Sequence, residues 1–89
     1  MGGSSKTRVF CKANQWTNVL WAGGVLFYRK YTVKAGNMRV QYRRYGASLT
    51  PPYWEGSFTG TDTFAIYPWE IYIRVDIKPP ADVTVEVSH

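Results

Sequence analysis

The chain has 89 residues, a net charge of +5 at pH 7 and a hydrophobic fraction of 45%. A chain of this size closes one core and not two, and its composition excludes both a disordered segment and a coiled coil. Cys11 is the only cysteine, which excludes an intrachain disulfide scaffold and a four-cysteine zinc site.

Met1 to Ser5 carry neither the charge nor the apolar run of a signal peptide and read as an added leader, with residues 6–89 as one domain. From Thr7 to Ala13 the small and apolar side chains fall at odd positions, with Phe10 the exception. Asn14 to Asn18 brackets Trp16 with turn-forming residues and leaves room for one helical turn. The apolar run Val19 to Tyr28 is too short to span a bilayer and is broken at Gly23-Gly24, so no membrane span is expected and Trp21 reads as core. Lys34-Ala35-Gly36-Asn37 reads as a hairpin loop with a left-handed position at Gly36. Gly46 to Pro52 reads as a loop, and Gly60-Thr61-Asp62 as a turn. Pro68 marks a strand end, and Pro79-Pro80 separates the last two strands. Glu70 to Lys78 alternates without a fault, with Ile71, Ile73, Val75 and Ile77 on one side, and Asp82 to Ser88 does the same.

About seven short strands at intervals of roughly ten residues predict an all-β fold, a small antiparallel β-sandwich of Ig-like or jelly-roll-like type, with a small β-barrel as the alternative. The predicted core is Val9, Cys11, Val40, Ile71, Ile73, Val75, Val83 and Val85. The hairpin at Lys34 to Asn37 would pair Val33 with Met38, Tyr31 with Val40 and Arg29 with Tyr42. Alternation then turns Val33, Met38, Tyr31, Val40 and Tyr42 inward. Tyr28, Lys30 and Thr32 would face outward with Arg39, Gln41 and Arg43.

Charge is unevenly divided along the chain. Residues 1–46 hold nine Lys or Arg and no acid, while the rest hold two against six acids. Interleaving of the two parts in one sheet is the leading explanation. Basic and acidic edges meeting between copies, in a homo-oligomeric shell, fibre or ring, would be a structural use of the same division.

Enzyme chemistry is poorly supported. The only His is His89, the last residue, and no nucleophile–base set can be assembled, so no catalytic residue, metal site or cofactor is expected. Aromatics carry the best signal, with 4 Trp, 7 Tyr and 4 Phe. Surface Trp and Tyr offer flat faces to sugar rings, whose hydroxyls are read by neighbouring polar groups. Tyr53, Trp54 and Glu55, with Tyr67 and Trp69 (followed by Glu70) and Trp16, are therefore the candidate ligand-binding residues of a non-catalytic carbohydrate-binding module. That reading favours an extracellular or cell-surface location. The alternative is nucleic-acid binding through the basic face of Tyr28, Lys30, Arg39, Gln41 and Arg43, where Arg and Gln read base edges and Tyr stacks a base.

Overall fold

The alternation becomes an antiparallel sheet in the computed structural model, which describes residues 5–46 and 53–89. The predicted leader and the loop before Pro52 fall outside these residues, apart from Ser5 and Gly46. Among the described residues there are six strands and no helix: β1 (Lys6–Cys11), β2 (Thr17–Gly23), β3 (Arg29–Gly46), β4 (Tyr53–Ile66), β5 (Tyr72–Lys78) and β6 (Val83–Ser88). The chain is all-β as expected, with six strands in place of about seven. Residues 12–15 form a tight turn rather than a helical one: Gln15 N–H donates to Lys12 O, and Asn14 takes a left-handed φ of 58°.

β3 is the spine. Along one edge it pairs with β4 over almost its whole length. Along the other it pairs first with β6, through Thr32 to Lys34, and then with β5, through Gln41 to Gly46. β1 extends the sheet beyond β6, and β2 extends it beyond β5. The order β1-β6-β3-β5-β2 curls until β1 and β2 approach each other. Apolar side chains fill the concave side, and polar and aromatic ones cover the convex side.

The curl starts at a corner the sequence disguises. The expected hairpin at Lys34 to Asn37 and the expected turn at Gly60 to Asp62 do not form; both lie inside long strands. Lys34 pairs with Thr61 and Arg39 with Thr59, so Ala35 to Met38 bulge against Gly60 alone. Both glycines carry left-handed dihedrals, φ 67° at Gly36 and 79° at Gly60. A Cβ on Gly60 would sit 3.3 Å from the Gly36 carbonyl oxygen. Such a bulge bends and twists the strand that holds it. It also changes the parity of β3: Tyr31, Val33 and Ala35 point inward before it, Val40 after it. The predicted pairs Val33–Met38, Tyr31–Val40 and Arg29–Tyr42 are therefore absent. The predicted facing survives, because a hairpin and this bulge shift the alternation equally.

Ile66, Ile73, Ile77, Val33, Val40, Val75, Val85 and Cys11 are completely or almost completely buried. Burial of one such aliphatic side chain contributes roughly 1.5–3 kcal/mol. Tyr42, Phe58 and Phe64 close one end of the core, with Tyr42 and Phe64 edge-on at 5.0 Å. Gly56 makes this packing feasible: a Cβ there would lie 2.7 Å from the Tyr42 ring. Val9 and Val83 pack against the core while only partly buried. Ile71, predicted as core, is exposed, because β5 begins at Tyr72 and Ile71 belongs to the connection before it. Trp21 is also exposed rather than core: it lies on the convex parity of β2, opposite Arg74. Cys11 is free and buried, and burial raises its thiol above the ordinary value.

Among the described residues, three of the four ion pairs join the basic first part of the chain to the acidic second: Arg8–Glu86 at 3.4 Å, Arg43–Glu55 at 3.7 Å and Arg44–Glu70 at 3.1 Å. The two parts do interleave. Glu70, on the polar side of the Glu70 to Lys78 alternation, is buried. Arg44 Nη2 donates to both its carboxylate oxygens and to Ala65 O, and Tyr67 N–H donates to Oε1. This cluster ties the β4–β5 connection to the spine.

Candidate ligand-binding surface

Where β4, β3, β5 and β2 lie side by side, their outward residues form rows. One row is Tyr53, Tyr45, Arg74 and Trp21. The next is Glu55, Arg43, Asp76 and Asn18, and the third begins Ser57, Gln41 and Lys78. Alternation places every one of these side chains on the convex face, and the ladder holds them at fixed spacing.

Planar groups dominate the first two rows. The Arg43 guanidinium lies 4.2 Å from the Trp16 ring centre and 5.2 Å from that of Tyr53. Arg74 lies 4.7 Å from the Tyr45 ring, and Lys78 Nζ 5.8 Å from Trp16. Tyr45 and Tyr53 are in tilted contact at 5.3 Å. Trp21 and Tyr72 are nearly parallel at 15°, with centroids 6.5 Å apart. Each cation–π contact contributes about 0.5–1 kcal/mol at a partly exposed site. The guanidinium groups of Arg43 and Arg74 thus lie over ring faces.

The acids of this surface are engaged. Asp76 is buried beneath it and accepts from Arg74 Nε at 3.1 Å, Arg74 Nη2 at 3.0 Å and Asn18 Nδ2 at 3.1 Å. The hydrogen bonds to Asp76 raise Arg74 above the ordinary arginine value. Glu55 sits 3.7 Å from Arg43 Nε, too far for a hydrogen bond, and this buried Nε has no acceptor among the described residues. A buried donor without a partner is rare enough to require a reason. Beside it runs a groove of about 460 Å³ lined by Arg39, Gln41, Glu55, Ser57, Lys78 and Pro79. Arg39 Nη2 donates to Ser57 Oγ at 2.7 Å along its wall.

The residues singled out from sequence are distributed over more than one place. Trp16, Tyr53 and Glu55 of the aromatic set and Arg39, Gln41 and Arg43 of the basic set share this single surface. Trp54 follows the inward parity of β4 but lies at the strand end, where it is exposed and lines a depression of about 390 Å³ with Tyr42, Tyr53 and Glu55. Tyr67 and Trp69 stack on each other at 4.8 Å and 8° in the β4–β5 connection, with Tyr28 at 5.2 Å from Tyr67. Their neighbouring acid, Glu70, is turned inward and offers nothing to a ligand. Lys30 is outward on the other half of the spine, opposite Ala65.

Tyr45, Trp21, Tyr72, Arg74 and Lys78 were not singled out. The faultless alternation of β5 already turned the last three outward. It carried no information that β5 would lie against β3, which is what assembles the rows. Among the described residues, no group of three or more His, Cys, Asp or Glu is placed to hold a metal ion. Comparison with protein-family models, curated proteins and solved structures finds no match to this chain.

Proposed function

We propose that the protein is a non-catalytic binding module for carbohydrate, with the ligand lying across the convex rows of β4, β3, β5 and β2. The observation that carries this reading is Arg43. Its guanidinium lies over the Trp16 and Tyr53 rings, its buried Nε lacks an acceptor among the described residues, and its ladder partner Glu55 lines a groove with Gln41 and Ser57. A sugar ring needs a flat face to stack on and, beside it, donors and acceptors for its hydroxyls. This surface offers both on rigid strands, so little ordering cost falls on binding.

Nucleic acid is the second reading, favoured by Arg39, Gln41 and Arg43 standing outward on the same face as the rings. Bases stack on aromatic faces as sugars do, and the cations would follow the phosphates. Salt separates the two. A panel of glycans and of single- and double-stranded nucleic acids, screened at two salt concentrations, is the test. The proposal expects a retained glycan whose affinity barely changes with salt and falls on Trp16→Ala or Tyr53→Ala. Binding of nucleic acid alone, collapsing with salt, assigns the surface to the second reading. A retained glycan indifferent to both substitutions overturns this site.

A further inference from the structure

Six of the nine large apolar side chains that stand most exposed among the described residues occupy two short connections: Leu26, Phe27 and Tyr28 before β3, and Tyr67, Trp69 and Ile71 before β5. Leu26 is 87% exposed and Phe27 81%, so these consecutive side chains stand clear of their neighbours. The two connections run side by side. Tyr28 and Tyr67 are in ring contact, and a Cβ on Gly24 would lie 3.5 Å from the carbonyl oxygens of both Glu70 and Ile71. The buried Arg44–Glu70 pair fixes the β4–β5 connection from below, and Glu70 N–H closes it on Tyr67 O at 2.9 Å. The apolar tip is thus presented on a fixed base.

Charge identifies what covers it. Glu70 is the only carboxylate in either connection, and it is buried against Arg44. Arg29 and Lys30 stand exposed directly behind Tyr28, and neither joins an ion pair among the described residues. From Leu26 and Phe27 through Tyr28 to Arg29 and Lys30 the chain passes from apolar to aromatic to cationic side chains, with no exposed acid in either connection, the polarity order of a bilayer boundary from acyl chain to headgroup.

We propose that connections 24–28 and 67–71 dock the protein peripherally on an anionic lipid bilayer. Leu26, Phe27 and Ile71 enter the acyl boundary, Trp69 and the two tyrosines lie at headgroup level, and Arg29 and Lys30 face the anionic headgroups. This site is separate from the convex rows and does not depend on their ligand.

The test is co-sedimentation of the full chain with two kinds of vesicle, phosphatidylcholine alone and phosphatidylcholine with about one third phosphatidylserine. Size-exclusion chromatography with light scattering is run in parallel. The wild type is expected to be monomeric and to pellet with the anionic vesicles, with Trp fluorescence shifting to the blue. Leu26→Ser with Phe27→Ser should weaken this by about tenfold or more, and Arg29→Glu with Lys30→Glu should remove the preference for anionic lipid. All four residues are exposed, so unchanged circular dichroism of the variants is expected. Absence of binding to anionic vesicles overturns the proposal. So does binding that survives both pairs of substitutions, since the overall charge then suffices. A wild-type dimer that Leu26→Ser with Phe27→Ser converts to monomer overturns it too, because a second copy then covers the patch.

Discussion

The convex face has two halves that alternation alone makes equivalent. On β1, β6 and the first part of β3 and its partner, the outward rows are Arg8, Glu86, Lys34 and Thr61, then Lys6, Ser88, Thr32 and Thr63. On β4, β3, β5 and β2 they are the rows of Tyr53 and Glu55 described above. With Lys30 included, the first half carries four cations: Lys6, Arg8, Lys30 and Lys34. The second also carries four: Arg39, Arg43, Arg74 and Lys78. Charge therefore does not distinguish them. Side-chain shape does. The first half is made mainly of flexible, strongly hydrated ammonium groups and small hydroxyls. The second is made of rings and guanidinium planes that hold each other in place. Only the second, among the described residues, sets guanidinium groups over ring faces, and a count of basic residues would have missed the difference.

The largest effect expected from breaking this comparison is structural. Arg44→Ala leaves Glu70 buried without its cation beneath the aromatic half and should cost roughly 3–5 kcal/mol in urea unfolding. A loss below about 1 kcal/mol would mean that the pair is dispensable. Next comes binding. Trp16→Ala should weaken ligand affinity by roughly 1–3 kcal/mol in titration calorimetry, the range for a central aromatic anchor. Lys30→Ala with Lys34→Ala should leave it unchanged. Equal losses from both would show that the halves do not differ in use. Gly60→Ala acts at the corner between them and should cost about 1–2 kcal/mol of stability for its left-handed dihedral. Thermal unfolding that leaves this variant as stable as wild type would remove the argument for the corner. The smallest effect is at the Arg8–Glu86 ion pair. Arg8 is largely exposed and Glu86 partly so. Arg8→Ala should change stability by about 0–1 kcal/mol, less as salt is raised.

Along β3 the side of the sheet each predicted inward residue faces was legible in the sequence; which strand it would lie beside was not. Tyr31, Val33 and Val40 point inward as their period of two requires, yet every partner assigned to them was wrong. Period reports parity, and a hairpin loop and a four-against-one bulge shift parity alike. Gly36 was correctly expected in a left-handed conformation for the wrong reason. Glu70 misled because its burial depends on Arg44, 26 positions away in sequence, and no local pattern signals it. Trp21 misled in the opposite sense: its apolar neighbours suggested a core strand, while alternation within β2 turned it outward. For the site, Trp16, Tyr53, Glu55 and Arg43 were each legible as residue types. Their meeting depended on β3 being a single strand that carries both β4 and β5.

The corner at Gly36 and Gly60 has a consequence for the molecule in company. Among the described residues β4 pairs only with β3, so its far side is a row of open backbone donors and acceptors fourteen residues long. A straight strand of that length would be a template for any extended chain that met it. The left-handed dihedral at Gly60, opposite the bulge in β3, interrupts the template between a run of seven residues and a run of six. The glycine pair that lets this small chain wrap its own core thus also shortens the edge it offers to others.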